Sequence, residues 1–106
     1  MDFKELKEKR RELYEKYEKE NQELDKQYAL ENNPVKIGDI VTDHYHTIKV
    51  ESMMQTTSCE VPQMKYYGTE LKKDGKPKKV QPRTKEPVFQ RNIKKINGEP
   101  YSFNNR

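Results

Sequence analysis

Two histidines, one cysteine and a run of lysines are the residues of this chain best equipped for chemistry. In Asp43-His44-Tyr45-His46 the imidazoles stand two residues apart, so on a β-strand both would project from one face. With Asp43 or Cys59 close by, such a pair would begin a metal site or an acid–base group. The spacing supplies no third ligand. His44 belongs equally well to a loop, and His46 falls into alternation with Ile48 and Val50 as a boundary residue. Both therefore read as packing or turn residues, with no metal and no cofactor assigned. Cys59 as a nucleophile would need a base, an orienting group and an oxyanion site, and no local signature surrounds it. The four glycines, at 38, 68, 75 and 98, form no phosphate-cradling loop, and no carboxylates cluster outside the N-terminal third. The expectation is a protein that is not an enzyme.

The stronger signal is electrostatic. Between Lys72 and Lys95, ten basic residues face only Asp74 and Glu86. Lys72, Lys73, Lys76, Lys78, Lys79 and Arg83 would make a basic face at a hairpin tip, steering and holding a polyanion through its phosphates or carboxylates. Tyr66, Tyr67 and Phe89 offer faces on which an unpaired base would stack. Lysine suits backbone contact more than base readout, so nucleic-acid binding by this face would be weakly sequence-specific and steeply salt-dependent. Two other roles fit the same residues: a solvated loop that keeps a small β-unit soluble, and a dock for an acidic protein surface.

The elements that must position these residues change character at Asn32-Asn33-Pro34. Residues 1–33 hold 8 Lys/Arg against 10 Asp/Glu, and residues 34–106 hold 14 against 8, so a net −2 segment is joined to a net +6 one. From Asp2 to about Glu31 no Gly or Pro intervenes, and Asp2 with Glu5 has capping-box spacing, which predicts one long helix. Phe3, Leu6, Leu13, Tyr17, Leu24 and Tyr28, with Arg10 in one slot, follow the three-four spacing of a narrow stripe, a coiled-coil-like seam rather than a broad core face. Glu5–Lys9, Glu12–Lys16 and Glu15–Lys19 add about 0.2–0.5 kcal/mol each. Phe3, Leu6, Leu13 and Tyr17 are the predicted helix contact. Three partners suit the stripe: the chain's own β-unit, a second copy of the chain, and a different protein. Asn32-Asn33-Pro34 ends the helix, because Pro pushes its predecessor out of the α region.

Beyond Pro34 the pattern turns to short strands. Val35–Val41 predicts a strand with Gly38-Asp39 near its middle, and a second strand follows through His46, Ile48 and Val50. A loop around Thr56-Thr57-Ser58 leads to a strand over Met64–Leu71, with Tyr67, Thr69 and Leu71 on one face. Asp74-Gly75 supplies a tight turn, and Lys76-Pro77 keeps the outgoing segment off a central ladder position. Val88–Arg91 is the last strand candidate, with Ile93 and Ile96 at the spacing of a closing helical turn before Gly98-Glu99-Pro100. Four or five short strands suit a small curled barrel. The Lys36-Ile37-Gly38-Asp39-Ile40-Val41 stretch resembles the lead into the first strand of SH3-like small barrels, including Tudor and KOW modules. No Gly-rich turn follows Val41, and there is no aromatic cage, so the resemblance implies an architecture and no functional residue.

The predicted fold class is therefore α+β: a charged amphipathic helix over residues 1–33, a mostly antiparallel SH3-like basic barrel over 34–97, and a flexible tail over 98–106. With 30% hydrophobic and 38% charged residues, the core must be small and would gain from the helix or a partner. A single cysteine allows no intramolecular disulfide, and no apolar run suits a signal peptide or a membrane span, which predicts a cytoplasmic protein, or one associated with a virion. Lys, Glu, Asn and Tyr abundance without Trp suits an AT-rich bacterial or phage coding sequence. The expected function is a non-enzymatic protein-interaction module, of the small accessory, adaptor, inhibitor or virion-component kind, docking on an acidic partner surface; the alternative is a nucleic-acid-binding module of low sequence specificity. A homodimer or larger assembly through the helix is compatible with both.

Overall fold

In a computed structural model of the protein, which describes residues 1–56 and 61–103, the change of character at Asn32 is the joint between a projecting helix and an open antiparallel sheet. Helix α1 spans Phe3–Glu31. Asp2 caps it as expected: its side chain accepts the Glu5 N–H at 2.8 Å and its carbonyl accepts the Leu6 N–H at 3.1 Å. At the other end both the backbone and the side chain of Asn32 donate to the Tyr28 carbonyl, at 3.1 and 2.9 Å. Among α1 residues only Ala29 is buried. Phe3, Leu13, Tyr17 and Leu24 are 63–68% exposed, so the seam does not fold back on the chain's own sheet. The molecule is accordingly 69 Å in its longest dimension and only 20 Å in its shortest.

Six strands follow: β1 Ile40–Thr42, β2 Thr47–Gln55, β3 Met64–Leu71, β4 Val88–Phe89, β5 Lys95–Ile96 and β6 Glu99–Pro100. They lie in the order β4-β3-β2-β1-β5-β6, and every neighbouring pair is antiparallel. The sheet is open, so the SH3-like barrel expected from the sequence is corrected to an open sheet, while the α+β class stands. Closure would require β4 to meet β6. Each is two residues long, and Asn97-Gly98, with φ of 52° and 82°, turns the chain back onto β5 at the far edge. Pro100 there donates no hydrogen bond and blunts the edge.

Other boundaries also move. The Val35–Val41 segment is strand only from Ile40, because Gly38, at φ 94°, makes a turn in which the Asp39 carboxylate accepts the Lys36 N–H at 2.9 Å. Asn97 fixes that turn from the other end of the chain: its side chain accepts the Ile40 N–H and donates to Asp39, at 2.8 and 3.1 Å. These hydrogen bonds, the Lys36 N–H first, hold the Asp39 carboxyl below its ordinary range. The helical turn expected near Ile93 is a short 3-10 turn at Gln90–Asn92 instead. The Met64–Leu71 strand is where the sequence pattern put it. Thr57, Ser58 and Cys59 lie outside the described residues, as do the last three residues of the tail. Among the described residues no helix is long and apolar enough to cross a membrane.

One face of the sheet carries the core: Val41, Ile48, Val50, Met64, Tyr66 and Val88 pack with Ala29, Val35 and Ile93, and Met53, Ile96 and Tyr101 close its rim. Among the described residues no buried side-chain N or O atom lacks a hydrogen-bond partner. The Tyr66 hydroxyl donates to Asn33 Oδ1 at 2.5 Å, and the same oxygen accepts the Val35 N–H at 3.1 Å. Buried Gln90 accepts the Met64 N–H at 3.2 Å and donates to the Asn32 carbonyl and the Tyr101 hydroxyl, at 3.0 and 3.1 Å. Burial, with Tyr101 adding to it, pushes the Tyr66 phenol above its ordinary value. In mid-sheet Gly68 pairs with Val50 beside a bulge at Glu51, and a Cβ at Gly68 would overlap the Lys49 carbonyl. Two outcomes are expected from thermal unfolding followed by circular dichroism. Tyr66→Phe keeps the ring and loses the Asn33 bond, costing about 1–2 kcal/mol. Gly68→Ala forces the β2–β3 backbones apart and costs about 1–3 kcal/mol or more; wild-type stability in either variant would contradict these contacts.

Candidate functional site

The lysine run leaves β3 at Leu71 and turns at once. The Lys72 N–H donates to the Lys76 carbonyl at 2.8 Å, the Gly75 N–H to the Lys72 carbonyl at 2.9 Å, and the Lys76 N–H to the Asp74 carboxylate at 2.9 Å. Gly75, at φ 87°, takes the left-handed position that Asp74-Gly75 signals. Pro77 then forms a single bridge to Leu71, and the chain returns along the free edge of β3. A backbone bond, from the Lys78 N–H to the Glu70 carbonyl at 3.0 Å, and a side chain together hold this return. Gln81 accepts the Glu70 N–H at 2.9 Å, where a ladder carbonyl would otherwise stand, and donates to the Glu70 and Lys78 carbonyls at 3.1 and 2.9 Å. The Lys78 ammonium pairs with the Glu70 carboxylate at 3.3 Å, and Lys85 reaches Glu51 at 3.8 Å. Glu51 also accepts the Thr69 hydroxyl, which with Lys85 draws its carboxyl below the ordinary range.

Of the six cations expected to form the basic face, Lys78 is thus partly neutralised. Lys72, Lys73, Lys76, Lys79 and Arg83 are exposed and meet no carboxylate among the described residues. The structure brings the Asp43–His46 segment to this loop. That segment is a turn, not a strand: Asp43 accepts the Tyr45 and His46 N–H groups, both at 2.8 Å, and lies 3.1 Å from His46 Nδ1. A loop is one of the two places the sequence offers His44, and here the two imidazoles do not share a strand face; His46 is folded onto Asp43 while His44 is exposed. Because Thr47 pairs with Leu71, this turn and Lys72 emerge at the same end of the sheet. Between them lies a cleft of about 390 Å³ lined by Thr42–Thr47, Leu71, Lys72, Lys73 and Lys78. Tyr45, 91% exposed, stands at its rim.

The aromatic residues expected to stack divide between the two faces. Tyr66 is wholly buried in the core and is unavailable to a base, correcting that expectation. Tyr67 and Phe89 are half-buried on the opposite face, where Phe89 is paired with Lys65 and Tyr67 with Ser52. The Arg91 guanidinium lies 5.4 Å from the Phe89 ring. The helix-contact residues Phe3, Leu13 and Tyr17 are exposed and Leu6 half-buried, remote from the basic loop. No group of three or more His, Cys, Asp and Glu side chains suited to a metal occurs among the described residues.

Sequence reasoning overlooked Gln81, Tyr45 and the Asn97-Gly98 turn. The last had a signal, since Asn-Gly is the residue pair that a two-residue hairpin favours. Searches for a matching family model, a curated protein or a solved structure return no match for this chain. The loop's dependence on Gln81 is open to measurement. Gln81→Ala should raise the amide exchange rate of Glu70, whose N–H Gln81 accepts, by roughly tenfold, the equivalent of about 1.4 kcal/mol of lost local stability, while core amides such as that of Val50 stay protected. Unchanged exchange would mean that the backbone turn alone holds the loop.

Proposed function

We propose that this chain is a non-enzymatic protein-interaction module that docks on an acidic surface of another protein through its basic loop. The observation that carries the reading is the set of five exposed cations, Lys72, Lys73, Lys76, Lys79 and Arg83, which meet no carboxylate among the described residues and stand on a loop braced by Gln81. A loop ordered in advance loses less conformational entropy on docking, and rim-type charges raise association rates more than they lower dissociation rates. The cleft beside the Asp43–His46 turn adds Tyr45, an amphipathic anchor of the kind enriched at interfaces.

A nucleic-acid-binding module remains the second reading, favoured by one observation. Tyr67 and Phe89 flank Lys65 on the face opposite the core, a pairing of aromatic surface with positive charge that suits single strands. Against it, Tyr66 is withdrawn into the core, and the exposed lysines of the run stand on a loop rather than on the aromatic face.

Fluorescence-polarisation titration separates the two. A labelled acidic peptide and labelled single- and double-stranded oligonucleotides would be titrated at two salt concentrations, with Lys72, Lys73, Lys76, Lys79 and Arg83 intact or all replaced by Gln. The expected outcome is salt-sensitive peptide binding that falls at least tenfold on replacement and is unaffected by Tyr67→Ala. Oligonucleotide binding that falls with Tyr67→Ala would install the second reading, and no binding of either probe at low salt would leave the loop a solubilising element.

A further inference from the structure

The seam of α1 has a self-complementary arrangement of charge that the basic loop does not explain. Continuing the three-four spacing from Phe3 places Leu6, Arg10, Leu13, Tyr17, Glu20, Leu24 and Gln27 along one stripe. Two of these slots are charged, with opposite sign and symmetric about the Leu13–Tyr17 segment. Both Arg10 and Glu20 are exposed and neither has an ion pair on its own helix, where Arg11–Glu15 is the one recorded for α1 among the described residues.

A parallel in-register pair of helices would stack Arg10 on Arg10 and Glu20 on Glu20, two like-charge layers in a short seam. An antiparallel pair centred near Glu15 reverses this. Arg10 then faces the second copy's Glu20, Leu13 faces Tyr17, Leu6 faces Leu24 and Phe3 faces Gln27, each layer occurring twice by symmetry. Among flanking positions Lys9 meets Glu23, also of opposite sign, while Lys16 on one flank and Tyr14 on the other each meet their own image. The receiving end has a shape to match. Where α1 meets the sheet, Leu24, Gln27 and Tyr28 form a cleft with Pro62 of about 450 Å³, at the level where the second copy's Phe3 arrives. Phe3 is itself 67% exposed, with the Lys7 ammonium 4.8 Å from its ring.

We propose that two copies of this chain associate through α1 as an antiparallel pair, with Arg10 on the second copy's Glu20 and Phe3 in the cleft beside Leu24, Tyr28 and Pro62. At 1.5 Å per residue the two helix C-termini stand about 50 Å apart, one sheet at each end. The pair presents its two basic loops far from one another, so it engages separated acidic sites and gains from their joint occupation. The pairing itself stands whether or not the basic loop binds an acidic protein.

The test uses the full chain. Sedimentation equilibrium should give a dimer mass, and Leu13→Asp should give a monomer with its helical circular dichroism retained in the sheet-anchored part. Arg10→Glu and Glu20→Arg should each weaken association by roughly tenfold or more, and the two together should restore it. A parallel seam would make all three charge variants equivalent. Orientation is read by disulfide trapping in a Cys59→Ser background: Phe3→Cys mixed with Gln27→Cys should cross-link, and Phe3→Cys alone should not. A monomeric wild-type mass at about 100 μM, or efficient cross-linking of Phe3→Cys to itself, would overturn the proposal.

Discussion

The carboxamide of Asn33 is the interaction on which the rest of the structure depends. It sits where a solvated helix must become a sheet, and there the backbone has lost its helical partners without yet gaining strand partners. By accepting from both the Tyr66 hydroxyl and the Val35 N–H, it ties the residue after the helix to the centre of β3. Gln90 closes the same joint from the other side through the Asn32 carbonyl. Tyr66 can be wholly buried because its one polar atom is satisfied there, and with it the core gains its largest fully buried side chain. The small core then needs nothing from the body of the helix, which is free to project.

That division of labour shapes both functional surfaces. The sheet is stiff where β2 and β3 pair over most of their length, with Gly68 allowing the close approach beside the bulge. At the end of this ribbon two turns emerge side by side, one organised by Asp43 and the other by Asp74 and Gln81. Each uses a short polar side chain to satisfy backbone groups that lack a strand neighbour. The lysines are therefore spared for solvent or a partner. Charge enters the sheet sparingly, through Lys78–Glu70 and Lys85–Glu51, each tying the segment after β3 back to a strand. Pairs of this kind, with their ammonium groups open to solvent, fix the loop's path more than they add stability.

The helix obeys a different economy. Few tertiary contacts support it beyond its last turn, so its persistence rests on the Asp2 cap, the absence of Gly and Pro, and side-chain pairs one turn apart. A seam with Leu, Tyr and Phe in such a helix leaves apolar surface in water, which is costly unless a second surface covers it. Its narrowness suits another helix better than a sheet, and this agrees with the observed failure of the stripe to fold back.

The sequence by itself determined whatever depends on neighbours within a few residues. The Asp2 cap, the stop at Asn32-Asn33-Pro34, the Met64–Leu71 strand and the Asp74-Gly75 turn are all legible, because each is set by local dihedral preference, side-chain period or a short hydrogen bond. The charge separation between the two segments was likewise plain. Only the tertiary structure decided whether the sheet closes, which way Tyr66 faces, and that the Asp43–His46 turn stands beside Lys72. Each of those depends on register between residues far apart in the chain, as in the Thr47–Leu71 pair. Local propensity does not encode such a register; it emerges when one set of long-range pairings buries the core with every polar group satisfied.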